Sequence, residues 1–309
     1  MNKRLVSNLL LLLTAFIWGT SFVAQKVGVG IGTFTYNGTR TLIGGCTLIP
    51  VILVMDAIAK KKPDYKAPSD EEKKSSRKIL IMGGIACGIC LCIASNLQQF
   101  GISYTTVANS GFITSLYMVL VPIFSLALGK KIRPIIWLCV VMAIIGFYLL
   151  CMTDGFKLHF GDLLTLICAA FFAIHILVID HFSPKCNGVK LSCFQFFVSG
   201  GISFVLMFIF EEPSISNIIG SAIPLLYSGV LSCGVAYTLQ IVAQKNAEPT
   251  QATLLMSLES VFSALSGAIL LSERLAARSY LGCAIIFVAV VMAQIPIGNL
   301  IKRKSNTLQ

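Results

Sequence analysis

The sequence contains few charged residues, and acidic residues are the scarcest. Only 12% of its 309 residues are charged, whereas a soluble protein has about 25%. Apolar residues make up 56%, and the mean hydropathy is +0.85. The 13 acidic and 24 basic residues give a net charge of +11. In a soluble chain this balance would suggest nucleic acid, but here the basic residues lie between long apolar runs, as in loops beside a membrane. The composition therefore indicates a polytopic membrane protein with no nucleic-acid partner.

The sequence also lacks the motifs of a cofactor or metal enzyme. Its three histidines, His159, His175 and His181, cannot form a triad on one helix face, and there is no His-Glu-x-x-His or Walker A motif. The glycines at 28–32 are not a nucleotide fingerprint, because no strand-to-helix unit surrounds them. The cysteines at 87–92 have no second pair and are interpreted as small apolar residues of a helix. We predict no enzymatic activity, no cofactor and no metal.

Long apolar runs predict ten membrane-spanning helices. Each run has close to the 20 residues that a span needs, and the connections are short and rich in turn residues. The first run is too long for a signal peptide and is predicted to be a retained span. The predicted spans are Leu5–Gln25, Phe34–Ile58, Ile79–Phe100, Val107–Leu128, Ile135–Met152, Gly161–Phe182, Leu191–Phe210, Ile218–Gln244, Thr250–Leu271 and Tyr280–Ile297.

The distribution of Lys and Arg predicts the orientation of these spans. With the N-terminus in the cytoplasm, the cytoplasmic segments carry about 19 basic residues and the opposite segments about 5, and the positive-inside rule favours that arrangement. Both termini are therefore predicted to be cytoplasmic, in a plasma-membrane protein. The longest loop, Lys60 to Lys78, is predicted to be a solvated linker of mixed charge.

Two halves of the chain, residues 5–152 and 161–297, show an internal repeat. A shift of 142 positions aligns Gln98 with Gln240, Ser115 with Ser257 and Tyr117 with Glu259. Each half has five spans, and because five is odd the two halves must run oppositely through the membrane. Inverted repeats with a binding site near mid-depth are a transporter architecture. The predicted fold is an all-α membrane protein of ten helices in two inverted five-helix repeats.

Several motifs, in their order and spacing, resemble the EamA-like family of the drug/metabolite transporter superfamily. They are Trp18-Gly19-Thr20-Ser21-Phe22, Gly161-Asp162-Leu163-Leu164, Ala169-Ala170-Phe171-Phe172-Ala173, Ser257-Leu258-Glu259-Ser260-Val261-Phe262 and Glu273-Arg274-Leu275. The resemblance implies two inverted five-helix units around a central cavity for a small organic metabolite, usually exported, and no cofactor. Ser260 stands where this family often has Pro, so we expect the ninth span to be straighter than usual.

Polar residues inside the spans are the candidates for the substrate cavity. Amides at this depth either bond neighbouring helices or face a wet cavity, and the sequence leaves both interpretations open. His175 is a proton carrier, a substrate contact or a hydrogen-bonding link between helices. The predicted cavity residues are Trp18, Asn96, Gln99, Tyr117, His175, Tyr237, Gln240 and Glu259.

Glu259 is the principal ionisable candidate. It lies near the middle of the ninth span, where a charge costs about 2.5–3.5 kcal/mol on insertion scales. A carboxylate there takes up a proton, meets a cationic group of the substrate, or joins Ser263 and Ser266 in tying the span to a neighbour. We predict a proton site at Glu259. Arg40, near the outer end of the second span, is expected to extend toward the membrane surface.

The most consistent function is a secondary transporter that exports amino-acid-like compounds or amphiphilic drugs by alternating access. The predicted partners are a small-molecule substrate, the lipid bilayer and protons, and the sequence leaves monomer and homodimer open. With no Arg or Lys expected at mid-depth, a nucleotide-sugar or sugar-phosphate carrier is the weaker alternative. A nonenzymatic receptor or assembly protein is the alternative from another class.

Overall fold

The computed structural model describes residues 3–61, 69–151, 160–274 and 276–294, and within these ranges it contains helices and no strand. Residues of the predicted spans and loops at 152–159 and 295–297 lie outside these ranges. The helices are α1 (Lys3–Val27), α2 (Thr33–Lys60), α3 (Asp70–Ser103), α4 (Val107–Ser115), α5 (Tyr117–Ala127), α6 (Pro134–Cys151), α7 (Phe160–Phe182), α8 (Gly188–Phe210), α9 (Ile215–Gly220), α10 (Ala222–Leu226), α11 (Thr238–Gln244), α12 (Pro249–Met256), α13 (Glu259–Leu270) and α14 (Ala277–Gln294), with a π-helix at Tyr227–Tyr237 between α10 and α11.

These helices form ten apolar segments. Helices α1, α2 and α3 are the first three spans, α4 with α5 is the fourth, α6 the fifth, α7 the sixth and α8 the seventh. Helix α10, the π-helix and α11 form the eighth, α12 with α13 the ninth, and α14 the tenth. In the described residues, eight segments are long and apolar enough to cross a bilayer, and the fifth and tenth contain shorter apolar helices, Pro134–Leu149 and Ala277–Ala293.

Two helices begin four or more residues from the predicted starts of their spans. The third span begins at Asp70, nine residues before the predicted start at Ile79, because a capping box stabilises an exposed helical extension. The Ser69 side chain accepts from the Glu72 backbone N–H, and the Glu72 carboxylate accepts from the Ser69 backbone N–H. The eighth span begins at Ala222 rather than Ile218, because α9 is a separate short helix capped by Ser214.

The fourth and ninth spans are each interrupted at repeat-equivalent positions. At Leu116 the backbone N–H donates to the carbonyl of Ile113, three residues back, and at Leu258 it donates to the carbonyl of Leu255. This tightening of the helix occurs one residue before Tyr117 and one residue before Glu259, where α5 and α13 begin. The ninth span is therefore interrupted although Ser260 replaces the proline that the resemblance led us to expect.

Serine side chains accompany the interruption of the ninth span. The hydroxyls of Ser257, Ser260 and Ser263 each donate to the backbone carbonyl three residues earlier. Such bonds compete with the helix's own pattern and bend helices.

The contacts between the two halves are equivalent when the halves are interchanged. The first span packs on the eighth and ninth, and its repeat equivalent, the sixth, packs on the third and fourth. The equivalent pairs also meet directly, since the second span packs on the seventh and the fifth on the tenth. A two-fold axis relating the halves predicts this pattern, and five spans per half give the halves opposite directions through the membrane.

Large apolar side chains cover the outside of the bundle. Leu53, Phe208 and Ile269 are 65%, 63% and 77% exposed, in the second, seventh and ninth spans. A contiguous apolar surface of this kind is not stable in water, so it faces lipid. Many polar residues of the same spans, including Arg40 and Glu259, are buried inside.

Candidate functional site

A small cavity lies at the centre of the bundle, where both halves contribute walls. Its volume is about 30 Å³. Residues from the first, second, third and fourth spans meet residues from the sixth, eighth and ninth. The lining residues are Trp18, Ser21, Phe22, Gln25, Arg40, Gln98, Thr114, Tyr117, Phe172, His175, Ile176, Ser232, Tyr237, Gln240 and Glu259.

The structure brings six of the eight predicted cavity residues to this one place. Trp18, Tyr117, His175, Tyr237, Gln240 and Glu259 line the cavity. Asn96 and Gln99 are not among its lining residues. On α3 the residue that reaches the cavity is Gln98, whose side-chain N–H donates to the Thr114 hydroxyl at 3.2 Å.

Asn96 and Gln99 instead bond neighbouring helices. The Asn96 amide donates to the hydroxyl of Ser203 at 2.9 Å and accepts from the Asn37 amide at 3.0 Å. The Gln99 amide donates to the backbone carbonyl of Gln25 at 3.0 Å. These two amides therefore bond neighbouring helices rather than facing the cavity, because the face of α3 that they share is turned toward other spans.

Glu259 is the acidic side chain of the cavity. It is 3% exposed and accepts a hydrogen bond from the Ser115 hydroxyl at 3.4 Å. Tyr117 lies beside the carboxyl. Ser115 and Tyr117 flank the interruption of the fourth span, and Glu259 follows that of the ninth, so the two interruptions face each other across the cavity. No cation of a described residue lies within 4 Å of the carboxylate.

Four polar atoms in the cavity wall are buried and have no hydrogen-bond partner among the described residues. They are Trp18 Nε1, Gln25 Oε1, His175 Nδ1 and Gln240 Oε1. The great majority of buried polar atoms in native structures are bonded. Because these four atoms line one cavity, a water molecule or a substrate group inside it can complete their hydrogen bonds.

Aromatic rings form one side of the cavity. Tyr237 lies at their centre, with its ring centroid 4.6 Å from Trp18 and 6.1 Å from His175. The His175 ring is held in place by a 3.0 Å hydrogen bond between Nε2 and Gln195 Oε1. The π-helix that carries Ser232 and Tyr237 has i to i+5 bonding, which places these two residues, five apart, on one face.

Arg40 also lines the cavity, contrary to the expectation that it would extend to the membrane surface. Its side chain is 4% exposed, and its Nε donates to Asn37 Oδ1 at 2.7 Å. The guanidinium carbon lies 5.5 Å from the centre of the Tyr36 ring. This orientation is not predictable from the sequence, because position 40 is close enough to the end of α2 for a long side chain to extend either way.

A larger cavity of about 420 Å³ lies where the fourth-to-fifth, sixth-to-seventh and eighth-to-ninth connections meet. Charged residues around it include Lys130 and Asp180, which form an ion pair between the two halves. Gln244 lines this cavity, and Gln240, one helical turn earlier on α11, lines the central one. Both side-chain polar atoms of Gln244 are buried without a partner among the described residues.

A bundle of ten apolar helices in two repeats around a central polar cavity defines a class of membrane transporter. The EamA-like transporter family model matches residues 5–152 and 159–294, and the chain belongs to this family. It is a multi-pass membrane protein whose family transports small molecules across the bilayer.

The chain is also similar to individual proteins over most of its length. An uncharacterized transporter of Archaeoglobus fulgidus is 30% identical over 297 residues, which cover 95% of this chain and 87% of the relative. A second uncharacterized transporter of the same organism is 24% identical over 282 residues, covering 89% and 91%. One solved crystal structure is 18% identical, covers 93% of this chain and 96% of its own, and superposes with a TM-score of 0.73, a likeness of fold alone.

Proposed function

We propose that the protein is a secondary exporter of small organic metabolites that works by alternating access between residues 5–152 and 161–297. The observation that carries this proposal is the small central cavity, whose wall contains four unpartnered polar atoms. At about 30 Å³ it has room for about one water molecule, whereas small-molecule sites measure about 300–1,000 Å³. Substrate binding therefore requires the halves to move apart.

The larger cavity and the predicted orientation support export as the proposed direction of transport. With both termini in the cytoplasm of a plasma-membrane protein, the larger cavity lies on the cytoplasmic side. Gln244 and Gln240 then form a polar path from this entrance to the central site. Gln244 and Gln240 each have an unpartnered amide atom. A polar substrate that moves along this path can replace the water bound to each amide with one of its own polar groups.

The substrate proposed is an amino-acid-like compound or an amphiphilic drug, and Glu259 is the proposed site for a proton or a cationic group. A buried carboxylate without a cation within 4 Å is stabilised by either. The sugar-phosphate alternative gains support from Arg40 in the cavity. A phosphate dianion would, however, be repelled by Glu259 in the same small space, so we favour a substrate that also carries an amine.

The test is binding followed by flux with purified protein. Unfolding temperatures are measured against amino acids, amphiphilic amines and sugar phosphates, because a ligand of the folded state raises them. Stabilising compounds are then loaded, radiolabelled, into proteoliposomes, and efflux is compared with protein-free vesicles. We expect protein-dependent efflux of a stabilising amino-acid-like or amine compound. Stabilisation without any flux would support a receptor instead, and efflux of sugar phosphates alone would support the alternative carrier.

A further inference from the structure

Arg40 is a buried charge without a counter-charge among its described neighbours. Its only hydrogen bond to a described residue runs from Nε to the neutral Asn37 amide, and no described carboxylate lies within 4 Å. Removing an unpaired guanidinium from water is expensive unless an anion meets it. Because Arg40 faces the central cavity, that anion can reach it only from the cavity.

The surroundings of Arg40 fix the guanidinium in one orientation. Tyr36, one turn earlier on α2, lies under it, and the Tyr36 hydroxyl is held by Ser228 of the π-helix at 2.6 Å. Asn37 is itself held, because its amide donates to the Ser95 carbonyl at 2.9 Å and to Asn96 at 3.0 Å. With Nε occupied, the two terminal nitrogens remain, and they present the fork that binds a carboxylate with two parallel hydrogen bonds.

We propose that Arg40 binds a carboxylate group of the transported substrate, with Asn37 and Tyr36 as positioning residues. The proposal rests on the transporter function above and narrows its substrate class to compounds that carry a carboxylate. Among the residues that line the cavity, Arg40 is the cation and Glu259 the anion. A ligand with one carboxylate and one ammonium group is complementary to both, and the aromatic wall suits an apolar remainder.

The geometry also gives Asn96 a role that differs from the predicted substrate contact. Asn96 fixes Asn37, and Asn37 fixes the guanidinium, so Asn96 acts on the substrate through two hydrogen bonds. Because Asn96 is itself held by Ser203 on α8, the second, third and seventh spans jointly orient Arg40.

The experiment compares ligands that differ by one charged group. Leucine, methionine and phenylalanine are each tested beside the carboxamide, the decarboxylated amine and the deaminated acid, with glucose 6-phosphate as a dianion. Binding is measured by thermal unfolding, and efflux by radiolabel in proteoliposomes. For the wild type we expect the carboxamides and amines to bind about 10- to 100-fold more weakly than the free amino acids, which is the loss of charge-assisted hydrogen bonds.

Variants of Arg40 test whether the preference for ligands with a carboxylate depends on this side chain. In Arg40→Gln the amino acids should bind as weakly as their carboxamides, and Arg40→Lys, which keeps a charge but not the fork, should fall between. Arg77→Gln is the matched control, because Arg77 is exposed on α3. Asn37→Ala keeps the guanidinium and frees its Nε, so it should weaken binding of acids without weakening binding of amines.

The outcomes separate this proposal from the transporter function. If the wild type binds no carboxylate of the series better than its carboxamide, Arg40 is not a carboxylate site. Efflux of amines or carboxamides by the same protein would still support transport. If Arg40→Gln folds, with the gel-filtration profile of the wild type, and keeps the preference for acids, the assignment to Arg40 fails. Preferential binding of glucose 6-phosphate would also overturn the carboxylate proposal.

Discussion

At the scale of single residues, Glu259 is the acidic side chain that lines the central cavity among the described residues. The titratable or charged groups that face it are Tyr117, Cys168, His175, Tyr237 and Arg40. Glu259→Gln keeps the shape and the hydrogen bond from Ser115 but cannot titrate. We expect efflux by this variant to lose the pH dependence of the wild type, measured in proteoliposomes across a pH series.

The control for this prediction is Glu71→Gln, in the exposed first turn of α3. This variant should keep the wild-type pH profile. An unchanged profile in Glu259→Gln would mean that another group, with His175 the first candidate, carries the pH dependence. Normal flux with an unchanged profile would reduce Glu259 to a structural role.

Two buried glutamines give opposite predictions, because Gln195 Oε1 is bonded to His175 whereas Gln240 Oε1 has no partner among the described residues. Gln240 has an unpartnered Oε1 in the cavity wall, so Gln240→Leu should lower flux while leaving the unfolding temperature nearly unchanged. Gln195 holds His175, so Gln195→Leu should destabilise the protein by about 1–3 kcal/mol, the cost of leaving a buried polar group unbonded. Unfolding temperature and flux are measured for both, and equal losses of flux and stability in Gln240→Leu would contradict the assignment.

The sequence predicts which residue types enter the cavity better than it predicts which way they face. Six of the eight predicted residues line it, and the exceptions, Asn96 and Gln99, lie on a helix whose polar residues occupy more than one face. Gln98 was missed because its neighbour Gln99 had the same chemistry. Arg40 was missed because a long side chain near a helix end can face either way, and only the partners Asn37 and Tyr36 determine its direction.

At the scale of helices, the contact between the first and ninth spans depends on a glycine. A Cβ atom at Gly19 would lie 2.4 Å from the Phe262 Cβ and 2.7 Å from the Glu259 carbonyl. Gly19→Ala should therefore push the two spans apart and displace Glu259, lowering both the unfolding temperature and flux. Gly201→Ala is the control, because a Cβ there meets nothing within 4 Å and alanine favours a helix by about 0.5–1 kcal/mol.

The measurement is the amount of folded protein and its unfolding temperature for both alanine variants. Equal temperatures for Gly19→Ala and the wild type would show that the spans tolerate wider spacing. A loss in Gly201→Ala would show that glycine at that position has a further role.

Hydropathy predicts the spans because burial in lipid needs long apolar segments, but it cannot show where a span is interrupted. Polar residues flank both positions, Ser115 and Tyr117 around Leu116 and Ser257 and Glu259 around Leu258, but an average of hydropathy over a whole span does not resolve them. The interruptions are marked by backbone hydrogen bonds to the carbonyl three residues back, which hydropathy does not predict. The extension of α3 was missed for a related reason, since its nine polar residues form helix through capping at Ser69 rather than through hydropathy.

At the scale of the whole molecule, the predicted orientation places both termini on one side. A cysteine at Lys73, in the exposed extension of α3, and a cysteine at Ser305, outside the described residues, should react with an impermeant maleimide from the same side. Labelling is measured in intact and permeabilised cells, with the wild type correcting for its own cysteines. Labelling of the two positions from opposite sides would contradict the ten-span topology.

In the proposed alternating-access cycle, the equivalent interruptions at Leu116 and Leu258 bear on the equilibrium between the two open conformers. If both halves were identical, exchanging them would convert the inward-open conformer into the outward-open one, and the two would have equal free energy. Tyr117 in one half and Glu259 in the other are one of the differences between the halves that remove that equality. Exchanging them, as Tyr117→Glu with Glu259→Tyr, moves the carboxylate across the two-fold axis. The preference for one open conformer, read from the accessibility of a cysteine at Gln244, should then shift toward the other.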